Sequence, residues 1–116
     1  MNLTRLAHHQ HPLPPHHELR EKEVLDSGSR GIGQVDNLYV DDDRNLQFAD
    51  VSITGVFDFG KKHYLIPVEV IAEEDSGTIT LTVDQQTVES APKLGDAHDA
   101  PDEALQRTTR EHYGYG

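Results

Sequence analysis

Between residues 23 and 83 the apolar side chains come in short β-branched and aromatic runs, each closed by Gly, Asp or Asn. That punctuation is the mark of antiparallel strands joined by turns. Candidate strands cover residues 23–26, 32–41, 45–54, 62–67, 70–73 and 78–83. About six short strands in so small a unit predict an all-β barrel or sandwich.

The second and third strands can be paired from the sequence. Asp42-Asp43-Arg44 makes a short hairpin loop that sets Val40 opposite Leu46 and Leu38 across from Phe48. Further along, the apolar parity switches in both strands together, so that Val35 faces Val51 and Gly33 faces Ile53. Strand side chains alternate with period two, so a matched switch predicts a coiled ribbon that shows first one face and then the other to apolar surroundings. The same register places Asp36 beside Asp50 as a like-charge pair.

The flanks read differently. Residues 1–22 hold His8, His9, His11, His16 and His17 around Pro12, Pro14 and Pro15, with too few apolar groups to offset the entropy of ordering. The expectation is a disordered arm. Residues 84–90 form a single helical turn ended by Ala91-Pro92. Residues 95–100 read as a polar linker, and Pro101 opens a short helix to Glu111 with acids in its first turn and Arg107 and Arg110 in its last. Only Leu105 and two alanines are available to bury, and a Tyr113-Gly114-Tyr115-Gly116 tail follows. The expected layout is therefore an arm (1–22), a β-domain (23–94) and a linker with helix and tail (95–116).

Charge and composition exclude several functions. The 116 residues carry a formal net charge of −11, and all of that negative excess lies after residue 20. An acidic body repels phosphate backbones, so nucleic acid is not an expected partner. Absence of cysteine removes disulfides, thiolate metal sites and thiol nucleophiles. The first fifteen residues lack the apolar core of a signal peptide, and no stretch approaches the roughly 20 apolar residues that span a bilayer. A soluble cytoplasmic protein without direct membrane insertion is the expectation. A domain of roughly 75 residues buries only about 60% of its unfolded surface, which favours binding over an enclosed reaction chamber.

Residues 24–94 resemble a PRC-barrel domain, the small β-barrel named after the photosynthetic reaction centre. The resemblance rests on Gly31-Ile32-Gly33-Gln34-Val35-Asp36, on Leu38-Tyr39-Val40-Asp41, on the glycine-flanked Val56-Phe57-Asp58-Phe59-Gly60, on Tyr64-Leu65-Ile66-Pro67, and on Gln86-Thr87-Val88-Glu89-Ser90-Ala91-Pro92. It implies a small antiparallel barrel and a non-enzymatic module that docks onto proteins, often as a homodimer. Relatives in this family include a reaction-centre subunit with a membrane-spanning helix and a ribosome-maturation factor with a further N-terminal domain, and this chain shows neither.

Other constellations have plainer readings. Ser27-Gly28-Ser29-Arg30-Gly31-Ile32-Gly33 has the look of a nucleotide loop, but only two residues separate its first glycines and a strand follows. It is read as a turn. Asp41-Asp42-Asp43 lacks the spacing, central glycine and distal Glu of a calcium loop, and is read as a solvated hairpin. The N-terminal histidines are chemically able to bind zinc, nickel or copper, but an unfolded arm gives loose geometry. His63 and His112 read as isolated surface residues. No catalytic, cofactor or metal residue is assigned.

Phe57 and Phe59 are costly to leave in water, and either plug the barrel or form an interaction surface. Together with Tyr113 and Tyr115 they are the candidate partner-binding residues. The leading functional expectation is a self-associating protein-interaction or scaffold module. The alternatives are metal handling through the N-terminal histidines and an accessory role in a photosynthetic or other membrane complex.

Overall fold

A computed structural model describes residues 1–54, 61–94 and 100–115. Its strands are β1 (Thr4–Arg5), β2 (Glu23–Leu25), β3 (Gly31–Val40), β4 (Leu46–Thr54), β5 (Lys61–Pro67), β6 (Ile71–Glu74) and β7 (Thr78–Leu81). A single 3-10 turn (Val68–Val70) links β5 to β6, and two helices follow, α1 (Gln85–Glu89) and α2 (Glu103–His112). The strands form one curled sheet in the order β5-β4-β3-β2-β7-β6, with β1 added to β3. All six strands predicted from the alternation are present. One contact departs from the antiparallel expectation, because β2 pairs with β7 in parallel.

Two turns set the ends of the long strands. In the β3–β4 hairpin, Asp41 Oδ1 accepts from the backbone N–H of Asp43 and of Asn45, each at 2.9 Å, and Arg44 takes a left-handed φ of 66°. The Asp side chain thus supplies the acceptor that closes the loop. The resemblance to a nucleotide loop resolves in the same way: Asp26 Oδ1 accepts from Gly28 N at 2.9 Å and Arg30 N at 3.0 Å, tying the turn between β2 and β3. Asp26 Oδ2 also accepts from Gln85 N at 3.2 Å, which pins the start of α1 to the same turn.

The pairing of β3 with β4 corrects the expected ribbon. Val40↔Leu46 and Val35↔Val51 stand as predicted, but between them Tyr39 pairs with Phe48, Leu38 with Ala49 and Asn37 with Asp50. The ladder shifts by one residue between Tyr39 and Val40 and shifts back between Val35 and Asn37, leaving Gln47 and Asp36 as the extra residues. Each bulge inverts the in–out alternation locally. The parity switch is therefore absorbed within the sheet, and Val35, Leu38 and Val40 join Leu46, Ala49, Val51 and Ile53 in one buried cluster. Gly33 makes the close approach: a Cβ there would sit 2.1 Å from the carbonyl oxygen of Ser52.

The opposite face of the sheet is apolar at its centre too, where Tyr39, Phe48, Leu65 and Leu94 are buried with Leu105 of α2 packed against them. The helix is capped by Asp102, whose Oδ1 accepts from Leu105 N at 2.8 Å. The predicted Leu105 is only partly buried; the residues the helix buries are Gln106 and Thr109, and the Gln106 amide donates to the carbonyls of Met1 and Pro101, each at 2.9 Å. Polar residues thus serve as helix anchors where few apolar ones exist.

The N-terminal segment is not an extended arm in the structure. Thr4↔Val40 and Arg5↔Tyr39 pair β1 to β3, and Leu6 and Leu19 are buried in the main core. Arg44 donates to His11 O at 2.8 Å, Leu13 N donates to Arg44 O at 3.0 Å, and His16 pairs with Glu74. Apolar content was the wrong measure for this stretch. A few well-spaced anchors, each burying a full side chain, hold a segment whose average composition looks unfoldable.

Candidate functional site

The residues singled out for partner binding fall in different places. Phe57 and Phe59 lie outside the described residues. Tyr113, at the C-terminal cap of α2, packs against the main core, and burial raises its phenol far above the ordinary tyrosine range. Its neighbour His112 is not isolated, since Nε2 lies 2.8 Å from Thr87 O and joins α2 to α1. Arg110 pairs with Glu69 and stands 4.8 Å over the ring of Phe48, so the last turn of α2 is clamped to the sheet.

Tyr115 is 44% exposed and shares a shallow groove with Met1, which is 54% exposed, along with Gln106 and Arg107. Of the three large hydrophobic residues that stand exposed among the described residues, two meet in this groove. Its polar edge is Arg107 and Glu103. An apolar strip beside a guanidinium is suited to hold a peptide or a flat protein surface.

A second constellation was not foreseen. His63 on β5, Asp50 on β4 and Asp36 on β3 bring three potential ligand atoms within 4.8 Å of one another. His63 Nδ1 lies 2.9 Å from Asp50 Oδ1 and 3.7 Å from Asp36 Oδ2. Asp50 is almost wholly buried, at 2% exposure, whereas His63 at 32% and Asp36 at 24% reach solvent. The Asn37 amide donates to Asp50 Oδ2 at 2.8 Å and fixes that carboxylate.

The bulge at Asp36 is the local cause. Consecutive residues on a regular strand point to opposite faces, but across the bulge Asp36 and Asn37 both turn toward Asp50 and His63. On the other side, Ser52↔His63 and Asp50↔Leu65 place His63 diagonally across from Asp50. Sequence reasoning paired Asp36 with Asp50 and set His63 aside. The missing signal was the β4–β5 register, which the sequence reading did not assign.

These features define a class: a small all-β module whose curled sheet is packed on both faces and whose surface offers a shallow groove. Its sequence matches the PRC-barrel domain over residues 15–88, well over half of its length, and the chain belongs to that family. No curated protein gives a match. No helix among the described residues is long and apolar enough to cross a membrane.

Proposed function

We propose that this protein is a non-catalytic docking module that binds protein partners and self-associates as a dimer in the cytoplasm. The observation that carries the reading is the groove on α2, where Tyr115 and Met1 keep apolar surface in water beside Arg107. Apolar side chains that gather in one groove, rather than scattering singly, are what a docking partner covers. Membership in the PRC-barrel family supports the same reading. Phe57 and Phe59, two aromatics in a glycine-flanked stretch of sequence, are the second contact in this proposal.

The test is molar mass in solution. Light scattering coupled to size-exclusion chromatography should give a dimer for the wild type and a shift toward monomer for Tyr115→Asp and for Phe57→Asp/Phe59→Asp. A wild type that stays monomeric across the accessible concentration range removes self-association. A dimer that survives both substitutions removes these surfaces from it.

A further inference from the structure

We propose that Asp36, Asp50 and His63 form a binding site for one divalent first-row transition-metal ion, with zinc the natural probe. The site is distinct from the histidine-rich N-terminal segment and independent of the docking role. Its donor set is one imidazole nitrogen and two carboxylates from three adjacent strands.

Geometry comes first. An ion held at roughly 2.0–2.2 Å from each donor needs donor atoms separated by about 3.0–3.5 Å, whether its coordination is tetrahedral or octahedral. The two separations from His63 Nδ1, 2.9 Å and 3.7 Å, straddle that range. Asp36, the less enclosed of the two acids at 24% exposure, is the donor that must draw in to close the set, whose atoms all lie within 4.8 Å of one another. Both Asp50 oxygens face the imidazole, Oδ1 at 2.9 Å and Oδ2 at 3.2 Å from His63 Nδ1, and the Asn37 amide fixes the carboxylate in that position through Oδ2. That is the outer-shell support that ligating carboxylates need.

Charge points the same way. A carboxylate at 2% exposure has given up its water, and a second carboxylate stands on the other side of the same imidazole nitrogen. The pair calls for a cation between them. A divalent ion supplies two positive charges at that position. Ligand chemistry narrows the ion: without sulfur the set does not select soft Cu(I), and three donors from the protein are too few oxygens for Ca²⁺. The 32% exposure of His63 leaves an entry path and room for water to complete the shell. The three strands also bring their side chains together, whereas the histidines at positions 8, 9, 11 and 17 stand exposed.

The experiment uses the full chain carrying His8→Gln, His9→Gln, His11→Gln and His17→Gln, which removes the exposed competing imidazoles. Calorimetric titration with Zn²⁺ should show one ion per chain, and Co²⁺ should give visible d–d absorption with the same stoichiometry. Adding His63→Ala or Asp36→Asn should weaken Zn²⁺ binding roughly tenfold or more. Asp36 is partly exposed at a bulge, so Asp36→Asn should leave the circular dichroism and melting temperature of the metal-free chain unchanged, separating ligand loss from unfolding. Zn²⁺ should raise the melting temperature of the parent, and raise it less in Asp36→Asn. A parent chain that binds no Zn²⁺, or a folded Asp36→Asn chain that binds it as tightly as the parent, would overturn the assignment and leave His63 as an ion-pair partner alone.

Discussion

Gly33→Ala should be among the most damaging single-methyl changes available in this chain. The added Cβ would lie 2.1 Å from the Ser52 carbonyl oxygen, 3.1 Å from the Ser52 carbonyl carbon and 3.2 Å from Ile53 Cγ1. An ordinary carbon–oxygen contact needs roughly 3.3 Å, so β3 and β4 would have to separate by about 1 Å or more. The obstacle is backbone, and the flanking Val51 and Ile53 are buried, so no side chain can swing aside to make room. Overpacking of this kind costs about 3 kcal/mol, the upper end of its usual span. For a domain of this size that is a fall in melting temperature of roughly 12–24 °C. Urea unfolding followed by circular dichroism measures it, with an unchanged m-value showing that stability alone has moved. Gly77→Ala is the control, since nothing lies within 4 Å of a Cβ there. It should stay within about 0.5 kcal/mol of wild type. A Gly33→Ala chain that loses less than about 1 kcal/mol would refute the claim that this crossing point tolerates only glycine.

Two further outcomes test the corrected fold. Leu19→Ala, at a side chain with no exposed surface, should cost about 2–4 kcal/mol in urea unfolding, whereas a detached N-terminal segment would show no loss. Acid stability should depend on the turn carboxylates: the Arg30 N–H above all holds Asp26 below its ordinary value, and the Thr87 hydroxyl does the same for Asp84. Both carboxyls are ordinary in the unfolded chain, so their stabilisation is complete above the usual carboxylate range and is lost as pH falls through the lower folded-state values. Unfolding midpoints should hold level from pH 7 to about 5 and drop below about 4, with a shallower drop in Asp26→Asn. An identical acid limb in that variant would rule Asp26 out as a contributor.

What could be read from the sequence was whatever depends on side-chain alternation. The six strands, the Asp42-Asp43-Arg44 hairpin, the α1 turn and the α2 helix all follow from local patterns, and they stand where those patterns put them. The bulges did not announce themselves. One unpaired residue in a ladder leaves no compositional mark, and its effect on parity looks the same as a coiling ribbon. That single ambiguity displaced Leu38 from Ala49, while the His63 cluster stayed hidden because no local pattern fixes the β4–β5 register that brings His63 to Asp50. The N-terminal segment was misjudged for a different reason: density of apolar residues predicts whether a stretch can fold alone, while Leu6 and Leu19 fold onto a sheet built by the rest of the chain.

The residue at position 36 has one more implication. Because the ladder closes without it, a chain shortened by that single codon would have the pairings on either side to build on, and Asp50 alone would face the imidazole. One residue of chain length is therefore what separates a two-donor from a three-donor arrangement on the same three strands.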